Sequence, residues 1–260
     1  MNLFNKIIVV TGAGSGLGRA IAAGFCADGA RVVGIGRTSA DLEETARHCG
    51  PQKMQFIVGD VAQQQDVERL FSEAVRLYGR VDVLVNNAAL YPKVAFLESS
   101  QEEWNRVICT NVIGMASCCR AVLPGMLERG FGRIVNLGSF AWKSPVPNSS
   151  AYSASKGAVS ALTKALAAEI DRDRYPDVLI NELIPGAVRT RMSEIGENPV
   201  DVYPHARFVV NLPRNGSTGR TFVQSALHVE TRGLRARLKS FVGRASGRLL
   251  HGKRSGTDRG

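Results

Sequence analysis

Three residues in one short stretch have the types and spacing for proton chemistry. They are Ser139, Tyr152 and Lys156, within Ser139-Phe140-Ala141-Trp142-Lys143-Ser144-Pro145-Val146-Pro147-Asn148-Ser149-Ser150-Ala151-Tyr152-Ser153-Ala154-Ser155-Lys156. A hydroxyl stands at the start, and a phenol and an amine stand four residues apart at the end. If Tyr152 opens a helix, residues i and i+4 share a face. An ammonium fixed beside a phenol favours the phenolate and is expected to lower a pKa that starts near ~10. Tyr152 would then work as an acid or base near neutral pH. Tyr-x-x-x-Lys recurs by chance on many helices, so its worth depends on the elements that hold it.

Those elements form a regular series. Ile7 to Val10 is a short β-branched run that predicts a buried strand. Gly12-Ala13-Gly14-Ser15-Gly16-Leu17-Gly18 follows, then a helical pattern from Arg19 to about Asp28, and a second strand from Arg31 to Ile35. A strand, a glycine-rich turn, a helix and a strand within about 30 residues make a βαβ unit. Glycines let the main chain approach a pyrophosphate, and the helix N-terminus offers free N–H groups and a positive dipole end. Further helices are expected over Asp41–Cys49, Asp66–Tyr78, Glu102–Leu127 and Ala151–Asp171. Further strands are expected over Gln55–Val58, Val81–Val85, Arg133–Leu137, Val178–Leu183 and, as a seventh, Thr221–Gln224.

Continuous apolar strands alternating with helices predict an α/β fold, a Rossmann-like, doubly wound parallel sheet with helices on both faces. Ligands of such sheets bind at the carboxyl ends of the strands. Gly12 to Gly18, Arg37, Asp60, Asn86, Ser139 and Pro185-Gly186 all fall there, which gathers scattered motifs into one site. The second strand ends in Ile35-Gly36-Arg37-Thr38, where a site for NAD usually carries an acid for the ribose 2′-OH. A guanidinium suits a 2′-phosphate, so NADP(H) is expected over NAD(H). Asp60, at the end of the third strand, is placed to accept from an adenine amino group.

At 260 residues, with 44% hydrophobic and 22% charged residues, the chain reads as one soluble catalytic domain over 1–226 with a basic extension over 227–260. No run is expected to approach the ~20 apolar residues that span a bilayer. Ile7 to Val10 leads into the glycine turn and reads as a strand, not as part of a signal peptide. Cys26, Cys49, Cys109, Cys118 and Cys119 lack metal-ligand spacing, so no metal is expected and the protein reads as cytoplasmic. The net charge of +10 is uneven: residues 225–260 hold nine Lys/Arg and two Asp/Glu. Basicity therefore belongs to the extension, and nucleic acid is not an expected partner. Leu234, Leu238, Phe241, Val242, Ala245 and Leu249 recur there at helical spacing, weakened by Gly233, Gly243 and Gly247. Peripheral contact with an anionic membrane, packing on a neighbouring subunit and disorder all remain open for it.

The chain closely resembles the short-chain dehydrogenase/reductase family over about residues 5–190. Thr11-Gly12-x-x-x-Gly16-x-Gly18 matches its cofactor turn, Gly59-Asp60-Val61 its adenine contact and Asn86-Asn87-Ala88 its fourth-strand motif. Asn111, Ser139, Tyr152 and Lys156 match its catalytic tetrad, and Pro185-Gly186 with Thr190 its nicotinamide border. Arg37 falls where NADP-preferring members place a basic residue, and Val32 to Cys49 is similar to small carbonyl and xylulose reductases. The resemblance implies hydride transfer between nicotinamide C4 and a carbonyl or alcohol carbon of a small molecule. In it Tyr152 is the acid/base, and Lys156 depresses its pKa and binds the nicotinamide ribose. Ser139 polarises the substrate oxygen, and Asn111 holds a water that links Lys156 to solvent. It implies cofactor contacts at Thr11, Gly12, Ser15, Gly16, Leu17, Gly18, Arg37, Asp60, Val61, Asn87, Ala88, Tyr152, Lys156, Pro185, Gly186, Val188 and Thr190. It also implies a homo-oligomer, a tetramer or a dimer, with Ala154, Ala158, Ala161, Ala165 and Ala168 forming a small-residue face. A cofactor-binding regulator without turnover is the alternative, and the complete tetrad argues against it. Two departures stand out. Ala89 replaces a usual glycine, and Arg191 to Pro213, with Pro199, Pro204 and Pro213, is expected to give a reduced lid and a more open pocket. Phe140, Trp142 and Tyr91 are equally suited to lining a substrate pocket and to packing.

Overall fold

The structure, a computed structural model, describes residues 2–229. Residues Met1–Leu227 make one compact unit. The basic helix expected between Leu234 and Leu249 lies outside the described residues.

The strands are β1 (Ile7–Thr11), β2 (Arg31–Gly36), β3 (Met54–Val58), β4 (Val83–Asn86), β5 (Gly132–Leu137), β6 (Val178–Ile184), β7 (Thr221–Val223) and β8 (Ala226–Leu227). They form one sheet in the order β3-β2-β1-β4-β5-β6-β7-β8. Every pairing is parallel except the β7–β8 hairpin, which the sequence reading did not include. The helices are α1 (Gly16–Ala27), α2 (Ser39–Cys49), α3 (Gln64–Tyr78), α4 (Gln101–Ile108), α5 (Met115–Glu128), α6 (Ser150–Glu169) and α7 (Pro199–Val210). Two apolar layers cover the sheet. Ile8, Val10, Phe25, Leu42, Ala206 and Val209 fill one, and Val9, Leu70, Leu84, Val122, Ile134 and Ile180 fill the other. Alternate residues of β1 enter opposite layers, as the two-residue period of a strand requires. The strand order reverses between β1 and β4, and the strand ends there open a crevice.

Three expectations need correction. The helix expected over Glu102–Leu127 is interrupted by a π-helical segment, Cys109–Gly114, which carries Asn111. One extra residue in a turn leaves no trace in apolar periodicity, and such bulges concentrate at functional sites. The whole stretch Gln101–Glu128 has a mean hydropathy of 1.5 over its most apolar window, long and apolar enough for a span, against the expectation that no run would be. Here 44% of that window is buried inside the protein.

The third correction concerns the segment after Thr190, which contains α7. Pro199 opens that helix where its missing N–H costs nothing. Asn198 caps it by accepting from Val200 N at 3.2 Å. Helix α7 packs on α1. Tyr203 meets Phe25 edge-on with centroids 5.1 Å apart, and its hydroxyl donates to Asp28 Oδ2 at 2.6 Å. Gly24 admits the ring, since a Cβ there would stand 2.4 Å from it. Residues 187–198 fold back on themselves through bridges between Val188 and Glu197 and between Thr190 and Ser193. Tyr203→Ala removes both contacts and is expected to cost about 2–3 kcal/mol. Urea unfolding measures it, and a loss below about 0.5 kcal/mol would contradict this role.

Candidate active site

Helix α1 begins on the glycine turn. Gly12 has φ +64, and a Cβ on Gly18 would stand 2.0 Å from the Gly12 carbonyl oxygen, so the turn closes only with glycine there. Arg19 braces the turn from below, its Nη2 donating to the Gly14 carbonyl at 2.6 Å and its Nη1 pairing with Glu44 at 2.9 Å. Ser15 is the N-cap of α1 but accepts no capping bond, and the first turn holds no acid. A helix start with free N–H groups, a free hydroxyl and no negative charge fits a pyrophosphate.

The ends of β1 and β4 are tied together beside it. The Thr11 hydroxyl accepts from Asn87 N and Ala88 N, each at 3.0 Å. Asn87 Nδ2 donates to the carbonyls of Thr11 and Gly12 at 2.9 and 3.2 Å. One cavity of about 640 Å³ lies over these strand ends. Gly12, Ser15, Gly16, Leu17, Gly18, Arg37, Asp60, Val61, Asn87, Ala88, Ser139, Tyr152, Pro185, Gly186, Val188 and Thr190 all line it. Thr11, Asn111 and Lys156 are not among its lining residues.

Strand β5 delivers Ser139, whose Oγ accepts from Ala141 N at 3.1 Å and starts a 3₁₀ turn over Phe140–Trp142. Tyr152 lies in the first turn of α6. Its ring stacks on Tyr91 with centroids 4.3 Å apart and planes 25° apart. Lys156 is 5% exposed, and its Nζ donates to the Leu137 carbonyl at 2.6 Å and lies 5.6 Å from the Tyr152 ring centroid. Asn111 has no hydrogen bond to Lys156 among the described residues and does not line this cavity. Its Nδ2 donates to Leu90 O and to Ser155 Oγ, both at 2.9 Å, and its Oδ1 accepts from Leu90 N at 2.7 Å. Ser155 in turn donates to the Tyr152 carbonyl at 2.7 Å. The π segment thus pins both the loop bearing Tyr91 and the turn bearing Tyr152.

The electrostatics correct the expectation for Tyr152. Burial raises its pKa above the ordinary phenol value, and Tyr91 adds to the rise, while the Ser139 hydroxyl opposes it. The net direction is upward even with the Lys156 amine 5.6 Å from the ring centroid. The pKa of Lys156 is lowered to about 8 by burial, against a raising effect of Glu182. The protein by itself therefore holds Tyr152 as a protonated phenol.

Several lining residues escaped the sequence reading. Arg191 and Asp41 face each other at the cavity, Nη1–Oδ2 at 3.0 Å and Nη2–Oδ1 at 2.9 Å, 150 positions apart in sequence. Such a pair is visible only once the chain is folded. Of the three aromatic candidates, Tyr91 and Phe140 line the cavity, and Trp142 does not.

This fold and cleft define a nucleotide-binding oxidoreductase. The family model described as short chain dehydrogenase matches residues 6–198. The chain belongs to that family. It is 38% identical over 196 residues to 2-(R)-hydroxypropyl-CoM dehydrogenase of Xanthobacter autotrophicus, covering 73% of this chain and 77% of the relative. It is 37% identical over 196 residues to dehydrogenase/reductase SDR family member 4 of Bos taurus, covering 74% and 69%. The crystal structure of 3-ketoacyl-(acyl-carrier-protein) reductase from Brucella melitensis complexed with NADH superposes with a TM-score of 0.79 at 29% identity, covering 85% of this chain and 97% of that one. The protein is an NAD(P)-dependent oxidoreductase that moves a hydride between a nicotinamide and a carbonyl or secondary alcohol.

The buried lysine gives a test by stability. Between pH 8 and 10.5 the unfolded chain keeps a proton that folded Lys156 has released. Its contribution to stability is therefore least favourable below pH 8 and rises across that window. Relative to Lys156→Met, the wild type is expected to gain up to about 3 kcal/mol between those pH values. Urea melts across the range measure this, and a flat difference would contradict the burial of the ammonium.

Proposed function

We propose that the protein reduces a small-molecule carbonyl with NADP(H), Tyr152 supplying the proton. The observation that carries the reading is that Ser139 and Tyr152 line one cavity with the glycine turn and Arg37. Bound NADPH supplies the hydride, and its oxidised form accepts one in the reverse direction. Tyr152 donates its proton to the substrate oxygen as negative charge develops there. The Ser139 hydroxyl donates a hydrogen bond to that same oxygen. The Lys156 ammonium, behind the ring, stabilises the phenolate left by proton transfer. Asn111 holds the Tyr152 turn through Ser155, and the second lone pair of its Oδ1 is left for the expected water. Burial keeps the phenol protonated in the free protein, which is the form that reduction uses.

Preference for NADP(H) is supported by Arg37, exposed at the end of β2 and free of any ion pair or hydrogen bond among the described residues. Its neighbour Asp41 is held by Arg191, which lowers the Asp41 pKa. The free guanidinium suits a 2′-phosphate. Secondary alcohols and 3-keto groups are the substrate chemistry that fits, in line with the names of the relatives. Ala154, Ala161, Ala165 and Ala168 form an exposed small-residue stripe on α6, suited to close approach of a second copy in a dimer or tetramer. Five free cysteines fit a reducing compartment and hence the cytoplasm.

Tyr152→Phe is expected to lower kcat by about 10²–10⁴-fold and to leave NADPH affinity within twofold of wild type, as read by fluorescence titration. Wild-type turnover in that variant would refute the assignment. Arg37→Ala is expected to raise the KM for NADPH by about 10–100-fold and to leave that for NADH unchanged. A wild-type enzyme that prefers NADH would sink the cofactor reading.

A further inference from the structure

Strand β6 places a carboxylate where the reaction described above uses none. Glu182 is 1% exposed and pairs in register with Asn136 of β5 and Thr221 of β7. Residues in register share a face of the sheet. Asn136 turns toward α6, donating to Thr163 at 2.9 Å, so Glu182 lies on the α6 side. Its Oε2 accepts from Thr221 Oγ1 at 2.6 Å, and its Oε1 is buried with no hydrogen-bond partner among the described residues. The carboxylate rests against the main chain of Gly138, where a Cβ would stand 2.0 Å from Oε1. Glycine just before Ser139 is therefore what admits it.

Lys156 meets the same peptide unit. Its Nζ donates to the Leu137 carbonyl, in the peptide that joins Leu137 to Gly138. The elements packed on α6 are β5, β6, α4, the π segment and the 3₁₀ turn. Tyr152 and, stacked on it, Tyr91 are the titratable groups beside the amine. On β5, Arg133 is paired with Asp177 at the far end of the strand. On α4, Glu102 and Arg106 are exposed and Glu103 caps its own helix. Glu182 is the group whose charge acts on Lys156, raising its pKa against the effect of burial. An under-bonded buried carboxylate is costly on its own and calls for a facing cation.

We propose that Glu182 is a positioning residue that acts through Lys156. It supplies the buried countercharge that holds the ammonium at the Leu137 carbonyl beside Tyr152, with Gly138 reduced to a hydrogen to make room. The proposal rests on the assignment of Lys156 to the reaction.

Carbon-13 NMR of ε-labelled lysine in the cofactor-free protein tests it, with Lys156 assigned by the signal lost in Lys156→Met. Wild-type Lys156 is expected to titrate near pH 8. In Glu182→Gln, which keeps the side-chain size and still accepts from Thr221, it is expected about one unit lower. Glu182→Ala relieves the fit against Gly138 and is expected to give the same shift, so either folded variant suffices. With the shift, kcat of Glu182→Gln falls about twofold at pH 7 and about fivefold at pH 8, while the KM for NADPH stays within twofold. An unchanged Lys156 titration in a folded variant overturns the proposal. Failure of both variants to fold also overturns it, since it would make Glu182 structural. A wrong assignment of Lys156 would show differently, as undiminished turnover in Lys156→Met.

Discussion

A buried ammonium on a strand-end carbonyl governs the geometry of this protein. Lys156 Nζ donates to Leu137 O, the last residue of β5, and so fastens α6 to the edge of the cleft. That bond fixes where the first turn of α6 stands, and with it Tyr152. The same strand end carries Ser139, so the hydroxyl and the phenol inherit one reference point. The parallel pairing of β5 with β6 places Glu182 beneath it. Burying a cation in this way has a cost, and the lowered pKa of Lys156 is its signature. The lysine remains mostly protonated at neutral pH because its value, about 8, still lies above it.

The cofactor side of the cleft follows a different logic. There the main chain does the work, through a turn that tolerates no Cβ at Gly18 and a helix start left uncapped by Ser15. Charge is arranged around it so that acids are engaged and cations are available. Asp41 is held by Arg191, Glu44 is paired with Arg19, and Arg37 has no ion pair or hydrogen bond among the described residues. The carboxylates of Asp41 and Glu44 beside the turn are thus each met by an arginine.

Much of this was legible in the sequence because strand–turn–helix alternation and the special residues at strand ends follow from local pattern. The sheet, its parallel sense and the gathering of Ser139, Tyr152 and Arg37 into one cavity follow from that pattern. What escaped depends on contacts between distant residues or on irregular backbone. The π segment at Asn111 adds a residue to a turn without changing apolar spacing. Helix α7 was missed because the proline-bearing segment Arg191 to Pro213 was read as a reduced lid, although Pro199 opens the helix. The direction of the Tyr152 shift was misjudged because spacing places an amine near a phenol but says nothing of burial or of the Tyr91 ring. Glu182 was passed over because a lone acid in an apolar strand has no motif.

The account turns on a phenol that burial keeps protonated in the free protein. Ultraviolet difference titration of the wild type against Tyr152→Phe, without cofactor, isolates that one group among the tyrosines. A midpoint clearly above the ordinary phenol value near ~10 is expected. Ionisation at or below that value would contradict it and would return Tyr152 to the role of a ready base.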